Sequence, residues 1–185
     1  MPQTWEIVAM DHKGPLSNNN HVLVILDIGS RFAIIHEVKS TSFENNSKFF
    51  AQTWTLFGPP TKIITDNGPP FSGEKFRTHL NHFGIQHHRI TPAWPNANGS
   101  CERLIKNLTK ATKNATASNT KPMDEFNAWI RAYNSTPHTS TGFPPIELMF
   151  NRPSANSSLL PSYTTHQDNQ QQKTAKENDK VSKMK

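Results

Sequence analysis

Seven consecutive residues, His21-Val22-Leu23-Val24-Ile25-Leu26-Asp27, constrain the fold of this chain more than any other stretch. Five apolar residues stand together without a break, and the run is too short for an ordinary helix. A strand that is apolar on both faces has to be covered on both faces, so this segment belongs inside a sheet with layers on either side. Its neighbours extend the pattern. Residues 5–11 alternate, with Ile7, Ala9 and Asp11 on one side, and Asn18-Asn19-Asn20 turns the chain into the apolar run. Gly29-Ser30 turns it out again into a third strand over residues 32–38, which gives an antiparallel meander.

The period then changes. Thr41-Ser42-Phe43-Glu44 has the form of a capping box. It opens a helix that offers Phe43, Phe50, Trp54 and Phe57 to a core and stops at Gly58-Pro59-Pro60. Residues 61–65 read as a short strand ending at Asp66-Asn67-Gly68, residues 74–83 as a helix ended by Gly84, and residues 85–90 as a fifth strand. Residues 91–99 contain two Pro, two Asn and a Gly, and are expected to be a loop. Helices follow over residues 100–116, 123–134 and 145–150. The expected class is therefore α/β, a five-stranded mixed sheet flanked by helices.

Composition narrows the classes. Apolar periodicity ends near Arg152, so residues 1–153 are expected to form one domain and residues 154–185 a disordered Gln/Asn/Lys-rich tail. Cys101 is the single cysteine of the chain, which excludes a disulfide framework or a Cys-rich zinc module and suits a reducing compartment. His79, His82, His87 and His88 lie close in sequence, but no Cys pair accompanies them. With 20 Lys and Arg against 14 Asp and Glu, the net charge of +6 fits a nucleic-acid partner. No apolar run reaches the roughly 18 residues of a membrane span, and no signal-peptide pattern opens the chain.

Two acids fall at expected strand ends: Asp11 before Gly14-Pro15, and Asp66 in Asp66-Asn67-Gly68. Either one alone is equally good turn chemistry. A third acid, Glu102, stands at the start of the helix beginning near Ser100, where helix-dipole complementarity alone accounts for an acid. The helical wheel says more. Glu102, Lys106, Lys110 and Lys113 form one stripe, with Leu104, Leu108, Ala111 and Ala115 opposite. A single acid leading a purely basic stripe suits a metal ligand at the mouth of a groove, followed by lysines for phosphates. Three carboxylates can surround one or two divalent ions, and oxygen-only ligands select Mg²⁺ or Mn²⁺.

In this context the chain resembles the catalytic core of retroviral and long-terminal-repeat retrotransposon integrases of the Gypsy type, within the ribonuclease H-like superfamily. The family pattern is two Asp and a Glu, with 35 residues between the second Asp and the Glu, and 35 residues separate Asp66 from Glu102 here. The matching context is long: Trp5 through Leu16, Val24 through Arg31 with its Asp and Ser-Arg turn, Thr65-Asp66-Asn67-Gly68 with Phe71, and Pro92 through Arg103. The segment from His138-Thr139-Ser140-Thr141-Gly142 to Arg152 resembles the motif that closes the core.

The resemblance implies a metal-dependent nuclease and strand transferase with Asp11, Asp66 and Glu102 as catalytic metal ligands, and two Mg²⁺ or Mn²⁺ ions. Asp11 is implied to serve both ions, and Asp66 and Glu102 one each. It implies that Asn67, Asn98 and Gly99 shape the site and its loop. DNA contacts are expected at Lys106, Lys110, Lys113, Arg103, Asn67 and Asn98, with a surface salt bridge as the other expectation for Arg103. Partners are expected to be element ends and target DNA, with self-association and a nuclear location. At Cys101 the family usually has a small residue, and a small buried residue is the expectation rather than a catalytic thiol. Two other functions stay open: a domesticated or inactive DNA-binding module, and a different nuclease of the same fold, such as ribonuclease H or a cut-and-paste transposase.

Overall fold

The computed structural model describes residues 2–90, 99–118 and 121–153, with the backbone alone at residue 100 and residues 111–118. Of the expected loop over residues 91–99, residues 91–98, including Asn98, lie outside the described residues, as do the expected tail and the side chain of Lys113, whereas Gly99 is helical. Strands β1 (Ile7–Lys13), β2 (His21–Asp27) and β3 (Ala33–Val38) form the antiparallel meander. Strands β4 (Lys62–Thr65) and β5 (Gln86–Arg89) add in parallel on the other side of β1. The sheet order is β3-β2-β1-β4-β5. The helices are α1 (Phe43–Phe57), α2 (Glu74–His82), α3 (Gly99–Ser118), α4 (Pro122–Ser135) and α5 (Pro145–Phe150).

The pleat of β2 distributes its apolar run between two cores. Leu23 and Ile25 join Phe50 and Trp54 of α1 and Phe76 and Leu80 of α2 on one face. Val22, Val24 and Leu26 join Cys101, Leu104 and Leu108 of α3 and Phe126 and Ile130 of α4 on the other. Each fully buried large side chain contributes about 1.5–3 kcal/mol of transfer free energy, which makes both helical layers necessary to the sheet. Two polar ties lock the α4 layer and the β2–β3 turn. Buried Asn134 accepts from the Ala33 N–H (3.0 Å) and donates to the Ala33 carbonyl (2.8 Å). Buried Asp27 accepts from the N–H groups of Trp5 (3.0 Å), Gly29 (3.3 Å) and Ser30 (2.8 Å) and from the Ser30 hydroxyl (2.6 Å).

Two sequence expectations need correction. Asp11 does not end its strand, because β1 runs on to Lys13. The backbone pairing of His12 with Leu23 and Lys13 with Val22 carries the strand past the point where apolar alternation fades. The cap of α1 is Ser42, whose hydroxyl accepts from the Asn45 N–H, rather than Thr41. Glu44 therefore sits one position short of the reciprocal capping position and pairs with Lys75 of α2 instead.

Candidate active site

Side-chain parity brings the acids together. In β1, Val8 and Met10 face the α1–α2 core and Ala9 faces the α3–α4 core. Asp11 shares the parity of Ala9, so its carboxyl leaves the sheet on the side that α3 covers. In β4, Ile63 belongs to the first core and Ile64 packs on the second, so Asp66, two residues beyond Ile64, falls on the α3 side as well. Ala9 is paired with Ile64, the last pair of this ladder, and Asp11 and Asp66 each lie two residues beyond it. Glu102 stands in the first turn of α3, exposed, one residue from fully buried Cys101.

Electrostatics reports the same proximity. The Asp11 carboxyl is pushed up from the ordinary 3.8 to about 6, first by burial and then by the charges of Asp66 and Glu102, against the lowering effect of the His12 N–H. That N–H donates to Asp11 Oδ1 at 2.7 Å. The Cys101 thiol is raised well above its ordinary range by burial and by Asp11, Glu102 and Asp66 in turn. A protonated, fully buried thiol is a packing group at the floor of the site and a poor nucleophile.

Among the described residues, no three His, Cys, Asp or Glu side chains are gathered closely enough to enclose a metal ion. Asp66 and Glu102 thus lie within electrostatic reach of Asp11 without the three closing on a common point. The donor set fits a hard divalent cation all the same. Its ligands are all carboxylate oxygens, and the desolvation and repulsion raising Asp11 are what a bound cation relieves.

Local structure orients Asp66. The Gly68 N–H donates to Asp66 Oδ1 at 3.0 Å. A Cβ at Gly68 would lie 3.1 Å from Asp66 Oδ2 and 3.2 Å from Oδ1, so the missing side chain is what leaves the carboxylate its place. Asn67 donates from Nδ2 to the Ile90 carbonyl (3.1 Å), which ties the turn after β4 to the end of β5. That is a structural bond at a position the sequence assigned to DNA contact. On the opposite face, His12 Nε2 meets Asn46 Oδ1 at 2.9 Å, and burial lowers the His12 pKa. Lys106 and Lys110 are exposed on α3, and Leu104 and Leu108 are buried beneath them, as the wheel predicts. Arg103 is exposed, and its Nε–H donates to the Gly99 carbonyl at 3.4 Å. The two ion pairs found among the described residues, Lys75–Glu44 and Arg77–Glu74, do not involve it. The role of Gly68 was not read from the sequence, although Asp-Asn-Gly carried the signal.

Comparison with known proteins adds three findings. Residues 2–95 match the family described as the integrase core domain. The chain is 26% identical over 149 residues to the uncharacterized protein K02A2.6 of Caenorhabditis elegans, covering 80% of this chain and 12% of that protein. It is 27% identical over 177 residues to the transposon Tf2-3 polyprotein of Schizosaccharomyces pombe, covering 92% and 13%. The chain therefore spans about an eighth of the length of these relatives. The fold is similar to the HTLV-2 integrase catalytic core domain solved in complex with magnesium in a trimeric form, with a TM-score of 0.66, 18% identity, and 80% of this chain and 97% of that one covered. It is similar also to a chain of a simian T-cell lymphotropic virus intasome bound to a PP2A regulatory subunit, with a TM-score of 0.71, 18% identity, and 88% and 58% covered.

Proposed function

The chain belongs to the integrase core domain family, and from that premise we propose that it is a divalent-metal-dependent polynucleotidyl transferase that processes DNA 3′ ends and joins them to target DNA. The observation that carries this reading is the shared field of the acids. Asp11 and the buried Cys101 beside Glu102 both feel the charges of carboxylates that are far apart in sequence. Asp11, Asp66 and Glu102 are the residues that would hold the ions. Bound Mg²⁺ or Mn²⁺ supplies Lewis-acid polarisation and neutralises charge at phosphorus.

The protein's own side chains do the positioning. The Asp11 carboxyl is fixed by the His12 N–H, and Asp66 by the Gly68 N–H in a place that glycine keeps open. In the first reaction, the oxygen of a water bonds to phosphorus as the bond to the 3′ oxygen breaks, leaving a 3′-hydroxyl. In the second, that hydroxyl bonds to a target phosphorus and displaces the target's own 3′ oxygen. Neither reaction needs a covalent protein intermediate. Lys106 and Lys110 offer charge to the DNA backbone from the helix that begins beside Glu102. Element ends and target DNA are the partners, in a self-associated form acting in the nucleus. The magnesium-bound trimer and the intasome among the structural neighbours support this by analogy.

The test uses a branched DNA resembling an integration product, with Mn²⁺, and reads resolution of the branch. The wild-type chain is expected to resolve it and Asp66→Asn to lose resolution with its thermal unfolding unchanged. Activity retained in Asp66→Asn refutes the assignment. Salt-sensitive DNA binding by the wild type with no turnover supports the binding-module alternative.

A further inference from the structure

On the flank of α3 away from Glu102 lies a cleft of about 300 Å³ lined by Arg31, Arg103, Asn107, Tyr133, His138 and Ser140, over a floor of Leu26 and Leu104. Among the described residues, no carboxylate lines it. We propose that this cleft is a second anion site that holds one phosphate of the nucleic-acid backbone, formed by residues other than the three acids. The inference rests on the DNA-joining function proposed above and adds to it a contact outside the three-acid site.

The lining is rich in donors. Arg31 and Arg103 carry guanidiniums that match phosphate oxygens in geometry. The Ser140 backbone N–H donates to His138 Nδ1 at 3.2 Å, and the Ser140 hydroxyl lies 2.9 Å from the same atom. Nδ1 is therefore an acceptor, which puts the proton of the neutral ring on Nε2 and makes the ring a donor. Burial, then Arg31 and Arg103, lower the His138 pKa, so both guanidiniums act on this one ring. The Tyr133 hydroxyl is pushed up to about 12, chiefly by burial, and stays protonated as a further donor.

The cleft is also built rigidly on one side. Arg31 has φ 68, in the left-handed region, which a non-glycine residue adopts only where its surroundings enforce it. Here Asp27 supplies that enforcement. The Arg31 N–H donates to the Asp27 carbonyl (3.0 Å), and the buried Asp27 carboxylate takes the donors of Gly29 and Ser30. Backbone held in this way fixes where the Arg31 side chain leaves the chain.

Its position on α3 gives the site a use. At about 100° per residue, Lys106 and Lys110 fall between the Glu102 flank and the flank bearing Arg103 and Asn107. A backbone crossing α3 meets the carboxylate, then the lysines, then the cleft. Such a contact fixes register without reading sequence.

The experiment has two arms on the full chain. In the first, inorganic phosphate is titrated while the ring resonances of His138 are followed by NMR. In the second, duplex DNA affinity is measured against salt concentration. Arg31→Asn removes the cation while tolerating positive φ, Arg31→Lys restores charge, and Asn107→Asp sets a negative charge into the lining from an exposed helical position. The wild type is expected to show a saturable His138 shift that Arg31→Asn and Asn107→Asp abolish. Arg31→Asn is expected to shallow the salt slope by about 0.9, with partial recovery in Arg31→Lys. Wild-type DNA binding with an unchanged slope in Arg31→Asn overturns the inference and leaves the proposed function standing. A phosphate shift without any slope change likewise overturns it, because the cleft then takes free phosphate alone. Absence of all DNA binding by the wild type overturns the proposed function itself.

Discussion

Replacing Asp11 with Asn is expected to stabilise the fold in the presence of a chelator, by an amount that grows as pH rises from the unfolded value of 3.8 through about 6. The folded chain raises the Asp11 carboxyl from 3.8 to about 6, mainly by burying it and also through Asp66 and Glu102. A difference of roughly two pKa units corresponds to about 3 kcal/mol at 1.36 kcal/mol per unit. Asp11 is only partly buried, so solvent screening reduces this to about 1–2 kcal/mol. The sign follows from linkage. A carboxyl raised on folding favours the folded state while protonated, and that advantage is lost as pH rises from the unfolded value through about 6. Asn keeps an acceptor for the His12 N–H and carries no charge to desolvate. Thermal unfolding by circular dichroism at about pH 4.5 and about pH 8, in chelator, measures the difference. At the higher pH the variant is expected to melt about 3–6 °C above the wild type, and at the lower pH, still above the unfolded 3.8, the gap narrows to about a third. Added Mn²⁺ is expected to raise the wild type and leave the variant nearly unmoved. A gap independent of pH, or a wild type more stable than the variant at the higher pH in chelator, refutes the reasoning.

Gly68→Ala places a methyl 3.1 Å from an Asp66 oxygen, so DNA joining is expected to fall at least about tenfold with unfolding unchanged, since small misplacements at a reacting centre are costly. Asn134→Ala strands the buried N–H and carbonyl of Ala33. Urea titration is expected to read a loss of about 2–4 kcal/mol, and a loss under about 0.5 kcal/mol rejects that tie as a structural element. Lys106→Gln is expected to shallow the salt dependence of duplex binding by about 0.9, measured by fluorescence anisotropy over a salt series.

The architecture was legible where local pattern reports burial directly. The β2 run is covered on both faces, and the wheel of α3 separates buried Leu104 and Leu108 from exposed Glu102, Lys106 and Lys110. The three acids were read from their spacing and context, and the charges of Asp66 and Glu102 do act on Asp11. Less legible was anything fixed by distant partners. The extension of β1 past Asp11 depends on pairing with β2, whose backbone bonds are indifferent to side-chain polarity. Asn134 acts on Ala33 from 101 positions away, so its helix gives no hint of that role. The cap of α1 slipped by one residue because both Thr41 and Ser42 satisfy the same local preference. The cleft draws Arg31, Arg103 and His138 from three separate segments, and no local signal groups them.

The most direct test of the account is anomalous scattering from a crystal of this chain soaked in Mn²⁺. The account predicts a Mn²⁺ peak bounded by the carboxylates of Asp11 and Asp66, with Glu102 turned toward it. Peaks at other sites only, or carboxylates of Asp11 and Asp66 directed away from any bound ion, would contradict it.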